Sequence, residues 1–219
     1  MASYDLLIFD WDGTLCDSIE RIIHVMQAAA KELGLPARSA SSIKAIIGLG
    51  LPEAISTLYP ELEGEAVESF RQCYSQYFIL HDQEPSPLFD GVTEALQAFR
   101  SQGYWLAVAT GKSRQGLNRA LASKGLSHFF DVTRCADETA SKPDPLMLNE
   151  ILAHCSTHSS RALMIGDAAF DLEMARRAQM DSVAVSYGAQ PSHVLRDYKP
   201  RMVIDHFNEL RTWLVRSER

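Results

Sequence analysis

The chain has 219 residues and a formal net charge of −7 at pH 7, with 46% hydrophobic and 22% charged residues. This composition is near the average of globular proteins and excludes collagen-like, mucin-like and disordered chains. The acidic excess gives no basis for a nucleic-acid surface, and the apolar runs fall short of the ~20 residues that a membrane helix needs. The first residues lack a signal-peptide pattern, so we expect a cytoplasmic protein of one domain, with or without an insert.

Four short apolar runs predict the strands of a parallel sheet. The runs cover residues 6–9, 104–109, 162–165 and 183–185. Continuous apolar runs of this length are typical of strands that are buried on both faces. Residues 91–102 and 113–124 show a helical period, and each stretch is followed by a glycine. The alternation of strands and helices predicts an α/β fold.

Between the first two strands the apolar residues follow a helical period only. Residues 19–33 and 65–80 each place their apolar side chains on one face, and two shorter helical pieces lie near Ile43 and Ala54. We interpret the aromatic residues of the 65–80 stretch as its core stripe. The predicted division is a core of residues 1–15 and 86–219 and a helical insert of residues 16–85.

Two aspartates follow the first predicted strand directly. Asp10 and Asp12 lie two residues apart, so an extended backbone points both carboxylates to the same side, and Gly13 permits a sharp turn. Adjacent carboxylates repel each other unless one is protonated or a cation lies between them, and a hard divalent cation is the usual partner. A solvated acidic turn is the alternative interpretation.

A second candidate follows the strand at residues 104–109. Thr110 and Gly111 precede a predicted helix, whose first N–H groups would face a bound anion. Lys112 and Arg114 lie where the helix macrodipole disfavours cations unless an anion is present. Ordinary surface charge explains these two residues equally well.

The remaining candidates are a lysine and two further aspartates. Lys142 lies in a loop that prolines restrain, and its ammonium can neutralise phosphate oxygens. Asp167 and Asp171 follow the apolar run at residues 162–165. As alternatives, Asp167 would be a helix N-cap, and Asp171 would be stabilised by the positive end of that helix.

In this order, the four segments resemble the motifs of the haloacid dehalogenase superfamily of aspartate-nucleophile phosphotransferases. The matching residues are Asp10, Asp12, Thr110, Gly111, Lys142, Asp167 and Asp171. The resemblance extends over nearly the whole chain and implies a Rossmann-like, doubly wound parallel sheet with an inserted four-helix cap. Ala168 departs from the Ser or Thr that many relatives carry after the last motif's aspartate, and Trp11 replaces the commoner Phe or Leu.

The resemblance implies a catalytic or metal-binding role for each acidic residue. Asp10 is implied as the nucleophile that forms an aspartyl-phosphate, and Asp12 as the general acid and base. Mg²⁺ is implied as the cofactor, held by Asp10, the backbone carbonyl of Asp12 and Asp167, with Asp171 orienting the water around it.

Phosphoryl binding is implied for three further residues, Thr110, Gly111 and Lys142. The glycine-containing stretch at residues 47–51 resembles the cap loop that reaches toward the phosphate ester, and an interhelical turn is the alternative. The cap lysines, Lys31 and Lys44, are the only candidates there for the Schiff-base chemistry of phosphonate cleavage, and we assign that role to neither.

The implied activity is a Mg²⁺-dependent phosphatase acting on a small phosphorylated metabolite, with phosphoglycolate as the leading substrate. Asp12 argues against dehalogenation, because a carbon–halogen bond needs no protonated leaving group. A sugar-phosphate mutase like β-phosphoglucomutase, a pyrophosphatase, a nucleotide phosphatase and a binding protein on an inactive scaffold stay open. The oligomeric state is not predicted.

Overall fold

A computed structural model describes residues 4–80 and 85–217. The strands are β1 (Leu6–Phe9), β2 (Trp105–Thr110), β3 (Val132–Cys135), β4 (Ala162–Gly166), β5 (Asp181–Val185) and β6 (Met202–Ile204). They form one parallel sheet in the order β3-β2-β1-β4-β5-β6. The order reverses beside β1, which is the doubly wound arrangement that places ligands at the carboxyl ends of the strands. The predicted fold class is therefore confirmed.

Helices cover both faces of the sheet because alternate strand residues point to opposite sides. Leu7 and Phe9 face one apolar core, and Leu6 and Ile8 face the other. The first core is closed by α5 (Val92–Ser101), α6 (Arg114–Ser123) and α10 (Asn208–Ser217). The second is closed by α7 (Leu146–His154) and α8 (Ala169–Arg177). A 3₁₀ turn (Ser159–Arg161) and α9 (Ser192–Arg196) complete this part of the chain.

Four of the five helices that the structure describes between β1 and β2 form a third apolar cluster. They are α1 (Ile19–Glu32), α2 (Ala40–Lys44), α3 (Leu51–Leu58) and α4 (Glu65–Leu80), and we call them together the helical segment. Their core contains the fully buried residues Ile55, Tyr59 and Phe70, with the Tyr59 and Phe70 ring centroids 5.5 Å apart. The helices at 19–32 and 65–80 agree with the sequence pattern, so the predicted helical insert has the expected content.

Some sequence predictions are extended or left untested by the structure. β3 and β6 are strands that the apolar pattern missed, and β3 has Thr133 and Arg134 at its centre. The domain boundaries at residues 15–16 and 85–86 stay a prediction, and residues 81–84 of the predicted insert lie outside the described residues. None of the helices in the described ranges combines the length and hydropathy of a membrane span.

Candidate active site

The predicted site residues converge at the carboxyl edge of the sheet. Asp10 follows β1, Thr110 ends β2 and Asp167 follows β4. Since β1 pairs with both β2 and β4, these three positions are neighbours. Lys142 comes from the loop before α7, and Asp171 lies in the first turn of α8. The sheet order thus brings together residues that are up to 161 positions apart, from Asp10 to Asp171.

Three carboxylates and one ammonium form the centre of this edge. Carboxylate oxygens of Asp10, Asp167 and Asp171 lie within 4.8 Å of one another, and the three residues are at most 2% exposed. The Lys142 Nζ donates to Asp10 Oδ1 at 2.5 Å and to Asp171 Oδ1 at 2.7 Å. Lys142 itself is 1% exposed. Fully ionised, this cluster would have two more negative than positive charges in a buried region.

The pKa values of the cluster reflect this excess of acid. Burial raises the pKa of Asp10 well above its ordinary value, and the charges of Asp171 and Asp167 add to the effect, while Lys142 opposes it. Burial and the charge of Asp171 raise the pKa of Asp167 to about 7. Burial alone would lower the pKa of Lys142, but Asp10 and Asp171 together raise it. A buried set of oxygen ligands with uncompensated negative charge fits a hard divalent cation.

Asp167 is held in place from two sides. Thr14 donates its hydroxyl to Oδ1 at 3.0 Å, and the Ala189 N–H donates to Oδ2 at 2.6 Å. Gly13 and Gly188 allow the backbone to lie close to Asp167, because a Cβ at either position would lie 2.2 Å from an atom of the Asp167 side chain. Gly13 also has φ +84°, a conformation that L side chains rarely adopt. The carboxylate orientation is therefore fixed by the fold.

The helix-capping alternative for Asp167 is wrong. The N-cap of α8 is Ala168, and it is Asp171 whose Oδ2 accepts the Ala168 N–H at 3.1 Å. Asp171 therefore lies at the positive, N-terminal end of α8, as the alternative interpretation of this residue predicted. Its other oxygen, Oδ1, accepts a hydrogen bond from Lys142. Ala168 is fully buried, and a Cβ added at Gly48 would lie 3.5 Å from its methyl group.

Asp12 lies outside this cluster of three carboxylates and lines a cavity. Its Oδ1 accepts a hydrogen bond from the Ser18 hydroxyl at 2.6 Å and lies 3.0 Å from the Lys112 Nζ. The same Nζ lies 4.8 Å from the ring centroid of Phe78 on α4. Lys112 therefore belongs to the site, whereas Arg114 binds Glu138 and is ordinary surface charge. The backbone carbonyl of Asp12 as a metal ligand stays a prediction.

The stretch at residues 47–51 connects α2 to α3 and also contacts the sheet edge. A Cβ at Gly111 would lie 2.3 Å from the Leu49 carbonyl oxygen, so only glycine allows this approach. The Gly50 N–H donates to the Ser141 hydroxyl at 2.8 Å, next to Lys142. Lys44, in contrast, pairs with Glu20 at 3.1 Å and does not line the cavity.

A cavity of about 400 Å³ lies between the sheet edge and the helical segment. Asp10, Asp12, Gly111 and Lys112 line it on the sheet side. Side chains from all of α1, α3 and α4 line it on the other side. Such concave sites, with a few converging polar groups, are typical of small-molecule binding. Asp10 and Asp12 thus line the same cavity.

Several residues that build the site were given no role by sequence reasoning. They are Thr14, Ser18, Ser141, Gly188 and Ala189. The last two follow β5, where the strand-end argument already used for the other strands would have found them. The serine and threonine hydroxyls carry no comparable signal, because these residue types are common in all loops.

Comparisons with known proteins agree with this architecture. The sequence model described as haloacid dehalogenase-like hydrolase matches residues 7–185. A protein named "Probable phosphatase IndB" from Dickeya dadantii is 33% identical over 94% of this chain and 91% of its own. A phosphoglycolate phosphatase of Nitrosococcus oceani is 31% identical over 97% of both chains.

The fold comparison gives the same result. The crystal structure of a haloacid dehalogenase-like hydrolase from Bacteroides fragilis superimposes with a TM-score of 0.88 at 25% identity, over 95% of this chain and all of that one. The match of the sequence model spans the four motif segments. The chain belongs to the haloacid dehalogenase-like hydrolase family.

Proposed function

We propose that this hydrolase is a Mg²⁺-dependent phosphatase that cleaves a small phosphomonoester through a phosphorylated Asp10. The observation that carries the proposal is the placement of Asp10, which accepts a hydrogen bond from Lys142, has carboxylate oxygens of Asp167 and Asp171 within 4.8 Å, and lines the cavity. The names of the relatives as phosphatases support the reaction class.

In the first step, an oxygen of the Asp10 carboxylate attacks phosphorus, and the bond from phosphorus to the leaving-group oxygen breaks. Asp12, which lines the same cavity, gives its proton to the departing oxygen. Ser18 donates a hydrogen bond to Asp12 Oδ1, and the Lys112 Nζ lies 3.0 Å from the same oxygen, so the proton that Asp12 donates is carried on Oδ2. The product is an acyl phosphate on Asp10 and a free alcohol.

In the second step, water attacks the phosphorus of the acyl phosphate, and Asp12 takes the proton from that water. The bond between phosphorus and the Asp10 oxygen breaks, which regenerates both carboxyl groups for the next cycle. One side chain therefore serves as acid and then as base. Lys142 keeps the Asp10 side chain in one position through both steps.

Three residues of the sheet edge would bind the phosphoryl oxygens. Thr110 accepts the Lys112 N–H at 3.1 Å through its hydroxyl oxygen, so the hydroxyl hydrogen can point toward the phosphoryl group. Gly111 offers its backbone, and Lys142 supplies positive charge. Asp10, Asp167 and the Asp12 carbonyl would hold Mg²⁺, with Asp171 beside them. When bound, the cation reduces the repulsion between carboxylate and phosphate, which is about 4 kcal/mol for unit charges ~4 Å apart at an effective dielectric of 20.

The substrate, the domain division and the location are further parts of this proposal. A small phosphorylated metabolite fits the cavity, and phosphoglycolate is the first compound to test because it is named in a relative. The helical segment would act as a cap over the sheet edge, since its 47–51 stretch contacts Gly111. We place the protein in the cytoplasm.

A substrate panel tests the proposed function. Purified protein is incubated with phosphoglycolate, pyrophosphate, sugar phosphates and nucleotides, with Mg²⁺ or with a chelator, and inorganic phosphate is measured. We expect Mg²⁺-dependent release from at least one phosphomonoester and a loss of about 10⁴-fold or more for Asp10→Asn. Isomerised sugar phosphate without net phosphate would indicate a mutase, and full turnover by Asp10→Asn would overturn the mechanism.

A further inference from the structure

One wall of the cavity has no part in the phosphoryl chemistry. On the side of the helical segment, the lining includes Ile22, Met26, Ile46, Leu51, Tyr74 and Phe78, which we call the apolar wall. The wall faces the same space as Asp10 and Asp12, so it is the surface that the leaving group of a substrate would meet. Its side chains are aliphatic or aromatic, and the Tyr74 hydroxyl is the one polar group among these six side chains.

The charges in the cavity do not favour an anionic leaving group. Five acidic and three basic side chains line it, counting only residues that the structure describes. Two of the bases are already matched, since Arg71 forms two hydrogen bonds with Glu68, at 2.7 and 2.6 Å, and Lys112 lies 3.0 Å from Asp12. With Mg²⁺ bound at the sheet edge the two signs balance, so the lining has no excess of positive charge that would favour a carboxylate on the leaving group.

The size of the cavity exceeds what a two-carbon leaving group needs. Its volume is about 400 Å³, whereas a cavity of about 150 Å³ lined by apolar side chains is enough for benzene. After the phosphoryl group occupies the sheet side, space for a ring or a short chain is left beside the apolar wall. A smaller leaving group would leave apolar surface in contact with water.

From the wall, the charges and the volume together, we propose that the preferred substrate is the phosphomonoester of an uncharged, apolar alcohol of about six carbons. The inference rests on the proposed phosphatase function and specifies its substrate class. The alcohol packs against Phe78 and its neighbours while Asp10 attacks phosphorus. The bond from phosphorus to the alcohol oxygen breaks, and that oxygen takes its proton from Asp12.

A homologous series of esters tests this directly. Ethyl, butyl, hexyl and benzyl phosphate have similarly poor leaving groups, so differences in kcat/KM report on contacts with the wall. We expect about fourfold per buried methylene and on the order of 100-fold between ethyl and hexyl phosphate, with phosphoglycolate below butyl phosphate. Equal values along the series, or phosphoglycolate as the best substrate, would overturn the inference and leave the phosphatase function intact.

A binding measurement separates the inference from the function. Ethylphosphonate and hexylphosphonate resist hydrolysis, and calorimetry with Mg²⁺ present compares their Kd values without turnover. We expect the hexyl compound to bind at least tenfold more tightly. A preference for hexylphosphonate in a protein that hydrolyses none of the esters would refute the phosphatase proposal alone. Equal Kd values would refute the apolar leaving-group site.

Two matched variants on α4 test whether the preference for longer esters arises at the apolar wall. Phe78→Ala is expected to reduce the preference for hexyl over ethyl phosphate by roughly tenfold, because it removes apolar contact area. Ile79→Ala is the control, since Ile79 is the next residue of the same helix but is 48% exposed and does not line the cavity. An equal loss for every ester in Phe78→Ala would show that Phe78 acts through Lys112 and not through the substrate.

Discussion

The two sides of the cavity differ in how strongly the contacts of each residue constrain its identity. On the sheet side, Asp10, Asp167 and Lys142 are buried and have defined hydrogen-bond partners. On the side of the helical segment, residues such as Leu51 and Phe78 make mainly apolar contacts. Polar networks in a buried region require exact partners, whereas apolar packing tolerates changes of similar volume. From this difference we expect the chemistry at the sheet edge and substrate choice at the helices.

Asp12→Asn gives the largest effect that separates the two catalytic steps. We expect a loss of about 10²- to 10⁴-fold in turnover of alkyl phosphates, because acid and base are both removed. With 4-nitrophenyl phosphate, whose leaving group needs no proton, a burst of about one nitrophenol per protein should precede slow turnover.

The control for this variant is Asp17→Asn, which changes an exposed aspartate close in sequence. It should turn over both substrates at the wild-type rate. Equal losses for alkyl and nitrophenyl phosphate in Asp12→Asn, with no burst, would argue against its assignment as the acid of the first step.

Lys142→Met tests whether the buried polar cluster at the sheet edge also stabilises the fold. Removing the ammonium leaves Asp10 and Asp171 buried without their cation, which costs about 3–5 kcal/mol for a buried ion pair. Urea unfolding measures the loss. Lys44→Met removes an exposed partner of Glu20 and should cost at most about 1 kcal/mol. Equal stabilities of the two variants would contradict the account of the buried cluster.

Mg²⁺ should stabilise the protein by relieving the same excess of negative charge. At a concentration about 100 times its Kd, the stabilisation is about 2.7 kcal/mol, which raises the Tm by roughly 5–10 °C in a chain of this length. Thermal unfolding with Mg²⁺ and with a chelator measures it, and an unchanged Tm at saturating Mg²⁺ would remove the metal from the proposal.

The size of this Mg²⁺ effect should depend on pH. Burial and Asp171 raise the pKa of Asp167 to about 7, above the value in the unfolded chain. A carboxyl group with a raised pKa contributes stability at low pH that is lost as pH rises through about 7. The chelated protein should therefore lose stability from pH 6 to pH 8. Since Mg²⁺ binds the ionised carboxylate, its stabilising effect should be larger at pH 8 than at pH 6.

Ser18→Ala should have the smallest effect among these changes. It removes the 2.6 Å hydrogen bond to Asp12 and leaves the ion pair with Lys112 in place. We expect a reduction in kcat of about tenfold, with little change in KM, because the bond orients a catalytic group and does not contact the substrate. A larger effect on KM than on kcat would show that Ser18 acts in binding.

The sheet edge was predictable from the sequence for a physical reason. Buried parallel strands leave a continuous apolar signal, and a polar residue at the end of such a strand must lie at one edge. Asp10, Thr110 and Asp167 were found in this way. The strand β3 was missed because Thr133 and Arg134 interrupt its apolar pattern, where Arg134 pairs with Glu150 and Thr133 accepts from Arg114.

The apolar wall was not predictable, because core and cavity residues look alike in sequence. Phe70 and Tyr74 both lie on α4 and were both assigned to its core stripe. Phe70 is fully buried among the helices as expected, whereas Tyr74 also lines the cavity. The helical period identifies an apolar face but does not show which part of that face meets a partner helix and which part meets a ligand.

The most direct test of the central claim is to identify the residue that carries the phosphoryl group. Protein in excess over the preferred phosphomonoester is mixed with Mg²⁺, quenched in acid within one turnover, digested and analysed by mass spectrometry. The account predicts one phosphoryl group on the carboxylate of Asp10, and none after Asp10→Asn. Phosphate release with Asp10 unmodified throughout the turnover, or a phosphoryl group on another residue, would contradict it.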